Sequence, residues 1–202
     1  MNIEAGTANF VIQQKKEMLE VFSGFETRNQ YEVRDASGSL LFLAGEIGRG
    51  FFARQFLQSL RPFTIELVPP GGGSPSVRVE RPFRFFFQHI DVHGPDGRLM
   101  GSVTREFAIL ERRYVVKDAA GNEVLRLFGP ILHPWTFHIQ QNGENIGKIT
   151  KKWSGFLKEA FTDADNFAAT FPESLGVEIK TVLLGAVFLI DFAHFERRSN
   201  NN

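Results

Sequence analysis

Two carboxylates open the stretch DADNFAATFPES, residues 163–174. Asp163 and Asp165 occupy the first and third positions of a calcium-loop pattern, and calcium takes about six to eight oxygens. An EF-hand also needs Gly at its sixth position and a bidentate Glu at its twelfth. Here those positions hold Ala168 and Ser174, and Phe167 at the fifth offers no side-chain oxygen. Two readings stand: a small two-carboxylate calcium site, or a helix cap followed by a turn.

Other chemistry is sparse. His89 and His93 have the spacing of a helical zinc pair, but their sequence is strand-like, and on a strand that spacing does not bring both to one metal. There is no G-x-S-x-G elbow. Gly71–Gly73 lacks the Lys-Ser/Thr that completes a phosphate loop. No catalytic residue is assigned, so a function without covalent chemistry is expected. Cysteine is absent, which removes thiol catalysis, disulfides and palmitoyl anchors from this sequence. The start MNIEAGTANF lacks the basic and apolar parts of a secretory signal, so a cytoplasmic address is expected.

Two surface chemistries stand out. Lys148, Lys151, Lys152, Trp153 and Lys158 crowd residues 147–158. Basic residues beside Trp suit an anionic membrane surface. A solvated face, a nuclear import signal or nucleic acid would use the same residues. Lys plus Arg and Asp plus Glu are 23 each, so the whole chain has no net pull toward nucleic acid, and nucleic acid is not expected as a partner. Phe is the second signal: 22 Phe against 2 Trp and 2 Tyr. Phe85, Phe86 and Phe87 are consecutive, and Phe51, Phe52 and Phe56 form a second group beside Arg49. Three Phe in a row cannot all face one side of a strand. Either both faces are covered, or some Phe sit on a membrane-touching edge.

Strands must position these residues. A hairpin pattern of alternating strand, polar turn and alternating strand recurs five times: residues 31–46, 63–83, 90–106, 114–129 and 137–153. Gly-bearing turns between alternating runs are hairpin signals. Residues 9–14 and 166–172 supply two more strands. About a dozen antiparallel strands predict a closed barrel, because closure removes the edges. No boundary interrupts the pattern, so residues 1–198 read as one domain and 199–202 as a disordered tail. Ser154–Phe161 has apolar residues at helical spacing.

A helix is expected from about Gly176 to Arg197. Its centre, TVLLGAVFLIDF, is the most apolar run of the chain. Spanning a bilayer takes about 20 apolar residues. The uncharged run Thr181–Ile190 would make only about 15 Å of helix at 1.5 Å per residue. Lengthening it takes in Glu178, Lys180, Asp191, His194 and Glu196, and a central charge costs roughly 2.5–3.5 kcal/mol. The expectation is therefore a core helix inside the barrel, with Val182, Leu183, Leu184, Val187, Phe188, Leu189 and Ile190 buried.

The stretches Leu19–Val33, Arg61–Val68, Glu80–Arg84 and above all Gly147–Glu196 resemble the phospholipid scramblase family. That family is grouped with Tubby-like C-terminal and LURP-one-related domains. The resemblance implies a twelve-stranded antiparallel barrel around a C-terminal helix. It also implies ATP-independent, calcium-stimulated movement of phospholipids between leaflets. With no lipid anchor and no spanning run in this sequence, peripheral attachment to the membrane is expected, and protein partners are a further expectation. The alternative is a lipid- or protein-binding barrel that does not scramble. In the family the segment matching Asp163–Ser174 is the proposed calcium site, with Gly and Asp usual where this chain has Ala168 and Ser174. The family's palmitoylated cysteines fall near Arg84–His89, and a second cysteine-rich patch near Arg49–Leu57. Both are Phe-rich here. The segment around 181–192 is often drawn in that family as a transmembrane anchor.

Overall fold

The computed structural model describes residues 3–4, 6–15, 30–47, 62–152 and 166–194. Twelve strands close into one barrel: β1 (Asn9–Lys15), β2 (Gln30–Arg34), β3 (Leu40–Ile47), β4 (Phe63–Val68), β5 (Val77–Arg81), β6 (His89–His93), β7 (Leu99–Glu106), β8 (Glu111–Asp118), β9 (Glu123–Pro130), β10 (Thr136–Gln141), β11 (Glu144–Lys152) and β12 (Asn166–Thr170). The helix α1 (Val177–His194) follows. Every strand pairs antiparallel with its neighbours in sequence, and β1 joins β12 to close the ring. The five expected hairpins are β2–β3, β4–β5, β6–β7, β8–β9 and β10–β11, with β1 and β12 as the two extra strands.

Turn chemistry fixes the hairpins. β10 and β11 are joined by Asn142 and Gly143, with φ of 51° and 85°, the positive pair that a two-residue hairpin loop requires. In the β8–β9 turn Asp118 Oδ1 accepts from the backbone N–H of Ala120 and Asn122, a local bond that replaces a ladder bond. The registers of β2–β3, β6–β7, β8–β9 and β10–β11 shift by a residue beside these turns, and such bulges sharpen strand twist.

Alternation sorts the side chains. Ile90 and Val92 point inward at 0% exposure, while His89, Asp91 and His93 take the other face of β6. The outer wall is charged: Arg78 pairs with Glu66 at 2.7 Å, Arg34 with Glu32 at 3.0 Å, and Arg113 with Glu111. This polarity is the reverse of a lipid-facing barrel wall, where charges are destabilising.

α1 fills the interior. Residues Val182–Ile190 are all buried, apolar all round. A twelve-stranded ring leaves a lumen that wall side chains alone would not fill, and a helix about 10–12 Å across fits it. Gly185 lies against the wall: a Cβ there would stand 2.7 Å from Val92 Cγ2. The core helix expected from the sequence is therefore observed, and its described span, Val177–His194, is 18 residues. No helix among the described residues is long and apolar enough to cross a membrane.

Candidate functional site: an apolar rim on the barrel

Antiparallel connectivity gives the barrel two unlike ends. The five tight hairpin turns lie at one end, together with the start of α1, where Arg98 of the β6–β7 turn bonds Glu178 at 2.6 Å. Their sequences are polar: DASGS, PPGGGSPS, GPDG, DAAGN and NG. The described β5–β6, β7–β8 and β9–β10 connections lie at the opposite end, around the C-terminus of α1.

Among the described residues, the exposed large apolar side chains all belong to three loops of that opposite end. The β5–β6 loop holds Phe83, Phe85, Phe86 and Phe87; the β7–β8 loop holds Phe107, Ile109 and Leu110; the β9–β10 loop holds Ile131 and Leu132. Phe86 is 87% exposed, Leu110 80% and Leu132 88%. Phe83 and Phe85 touch edge to face at 5.2 Å, and Phe85 and Phe86 lie 6.4 Å apart. Apolar side chains gathered in this way mark an interaction surface.

The loops are held from below. Arg112 at the start of β8 donates to the carbonyls of Pro134 at 2.8 Å, Pro130 at 3.2 Å and His133 at 3.4 Å, and its guanidinium lies 4.4 Å over the Phe137 ring. Arg105 N–H donates to Gln88 O at 2.8 Å, tying β7 to the β5–β6 loop. Tyr114 Oη and His194 Nε2 share a 2.7 Å hydrogen bond, which joins β8 to the end of α1. Burial pushes the Tyr114 phenol up to about 12, and burial with Arg112 and Arg105 pushes His194 down to about 3. Both groups are therefore neutral at pH 7, and the link beneath the rim carries no charge of its own.

The residues singled out in the sequence fall in different places. Phe85–Phe87 lie on the rim. They occupy a loop rather than a strand, so alternation does not constrain them. Lys148 is exposed on the outer wall of β11. Lys151 is a correction: it points into the barrel and is buried, so it is not a surface contact. Its Nζ stands 3.8 Å from Asp191 Oδ1 and 5.3 Å from the centre of the Phe167 ring, and Tyr31 Oη donates to Asp191 Oδ2 at 3.0 Å. Lys152 ends β11, and its side chain lies outside the described residues. So do Phe51, Phe52, Phe56, Trp153, Lys158, Asp163 and Asp165, together with residues 154–161 and the tail.

The calcium pattern loses its loop. Residues 166–170 are strand β12, with Phe167 and Ala169 inside the barrel, so a twelve-residue calcium loop does not fit DADNFAATFPES. Thr150 Oγ1 and Asn166 Oδ1 are buried oxygens without a hydrogen-bond partner among the described residues. They stand on adjacent strands, and Asn166 directly follows Asp165 in the chain; oxygen is the ligand calcium prefers. His89 bonds Thr104 at 2.7 Å and Asp91 at 3.0 Å, whereas His93 bonds Gly97 O at 3.2 Å. The two rings have separate partners. No group of three or more His, Asp or Glu able to hold a metal occurs among the described residues. Phe107, Ile109, Leu110, Ile131 and Leu132 were not expected from the sequence. Their signal is position: each lies between two hairpin patterns, in a connection at the same end as the Phe run.

A family model described as Scramblase matches residues 3–197. The chain belongs to the scramblase family. It is similar to phospholipid scramblase 1 of Mus musculus, 36% identical over 94% of this chain and 62% of that protein. It is equally similar to phospholipid scramblase 2 of Homo sapiens, 36% identical over 93% of this chain and 67% of that protein. Phospholipid scramblase family member 5 of Homo sapiens is 32% identical over 92% of this chain and 73% of its own length. This scramblase-family chain thus spans roughly two thirds of the relatives it matches. No solved structure matches it.

Proposed function

We propose that this protein docks on a phospholipid bilayer through the apolar rim and lets phospholipids move between leaflets, without ATP and without covalent chemistry. The gathering of exposed Phe, Ile and Leu on one barrel end carries this reading. Each such side chain that leaves water on insertion contributes about 1.5–3 kcal/mol, so a few inserted residues suffice for attachment. The names of the relatives, phospholipid scramblases, support phospholipid as the cargo. The interior is filled by α1, which favours movement at the rim, where inserted tips loosen headgroup packing, over passage through the barrel. The charged outer wall supports a barrel that stands on the bilayer rather than crossing it.

Calcium modulation is part of the proposal. Asp163 and Asp165, which precede Asn166 in the chain, would hold the ion, which would supply positive charge beside the bilayer. Calorimetric titration with calcium tests this: Asp163→Ala with Asp165→Ala should abolish the heat, and an unchanged titration would remove the site. The filled lumen also favours a second reading, a peripheral lipid-binding module without scrambling.

Reconstitution decides between the two. Purified protein in liposomes carrying a headgroup-labelled, quenchable lipid should raise the quenched fraction above that of protein-free vesicles, with and without calcium. Phe86→Ser with Leu132→Ser should remove the gain. Binding to vesicles without extra quenching would leave only the second reading.

A further inference from the structure

We propose that Arg84 and Arg105 make the rim selective for anionic phospholipid headgroups; this rests on the reading of the rim as the bilayer-facing end. Five arginines of the walls and turns are paired with carboxylates: Arg34 with Glu32, Arg78 with Glu66, Arg98 with Glu178, Arg113 with Glu111 and Arg126 with Glu123; Arg81 lies over the Phe63 ring. Arg112 spends its donors on the carbonyls of the β9–β10 loop. Among the described residues, the side chains of Arg84 and Arg105 have no hydrogen-bond or ion-pair partner, and both belong to the rim. Arg84 stands inside the run of exposed Phe, between Phe83 and Phe85. Arg105 is the penultimate residue of β7, and its backbone N–H is bonded to Gln88 at the base of the same loop. The fold thus leaves two guanidiniums at this end of the barrel without a carboxylate partner among the described residues.

This arrangement matches the depth profile of a membrane surface. With Phe85, Phe86 and Leu110 among the acyl chains, an arginine a residue or a few away reaches phosphate depth with its stem along apolar surface. A guanidinium meets phosphate or carboxylate oxygens with two parallel hydrogen bonds. A zwitterionic headgroup answers its phosphate with its own cation; an anionic one leaves net negative charge for the arginine. Arg105 lies close enough to Tyr114 and His194 to act on both electrostatically, so the positive field extends over the barrel mouth.

Co-sedimentation with sucrose-loaded vesicles tests this with the full chain. Two compositions are compared, phosphatidylcholine alone and phosphatidylcholine mixed with phosphatidylserine. The wild type should bind the mixed vesicles more tightly, and added salt should reduce that preference. Arg84→Gln and Arg105→Gln should each reduce the preference about fivefold, the size expected of one basic residue at a charged surface, while binding to phosphatidylcholine alone is kept. Arg84→Lys and Arg105→Lys should retain most of it. Phe86→Ser with Leu132→Ser should weaken binding to both compositions. An unchanged ratio in the Arg84→Gln, Arg105→Gln double variant, or equal wild-type binding to both vesicles, overturns the selection and leaves the rim reading intact. A wild type that binds neither composition overturns both.

Discussion

Lys148 and Lys151 stand three residues apart on β11, and an odd separation on a strand puts two side chains on opposite faces. Lys148 meets solvent; Lys151 meets Asp191 and Phe167 inside the barrel. Composition groups the two lysines, whereas parity separates them. Ile149 is an inward residue, so Lys151, two positions on, must share its face. Asp191 interrupts the apolar run of α1 because this inward lysine and Tyr31 need a partner in a place from which water is excluded. The Tyr114–His194 link is the other polar contact at this scale, and it gives a pH dependence with a definite sign. His194 in the unfolded chain titrates near 6.5, and in the barrel its pKa is down to about 3. Between those values the unfolded chain holds a proton that the folded chain does not, so stability falls as pH falls through that window. His194→Gln should therefore lose less Tm than the wild type between about pH 7 and pH 5. Equal losses in calorimetric scans would mean that His194 is not held neutral.

At the scale of elements, α1 is the core on which the strands close. Leu184 is fully buried in it. Leu184→Ala should cost about 2–5 kcal/mol, read as a Tm lower by roughly 10 °C. Leu184→Asp should give no folded protein, since an unpaired charge would lie at the barrel centre. A folded Leu184→Asp variant would mean that the helix is not enclosed. Gly185→Val should cost about 1–3 kcal/mol by overpacking against Val92 and Ile90. The hairpins were legible because alternation with a polar turn is a period-two signal repeated five times. α1 was legible because an apolar run bounded by Glu178, Lys180 and Asp191 is too short for a bilayer. The rim was half legible. Three consecutive Phe announce themselves, but Ile109 or Leu132 alone looks like any core residue. Only the up-and-down order of the strands puts them at the same end as the Phe run.

For the whole molecule, the proposed docking sets an orientation: rim toward the bilayer, hairpin turns away from it. The sequence has no cysteine, so single-cysteine variants can be labelled cleanly with an environment-sensitive fluorophore. A label at Leu132→Cys or Phe86→Cys should brighten and shift to the blue with vesicles, and one at Gly97→Cys or Asn142→Cys should not. Matching responses from both ends would mean that the barrel lies on its side. The order of elements along the chain also bears on how the molecule comes to exist. α1 is translated after all twelve strands, yet it occupies their centre, and β1 must reach across to β12, the strand made last. At about 5–20 residues per second the strands emerge over on the order of ten seconds. Throughout that time the nascent sheet has an apolar inner face and nothing to wrap around. The barrel can close only once residues 177–194 have cleared the ribosome. Until then that inner face stays uncovered, and a message truncated just before the helix should yield an insoluble product even though every strand is encoded.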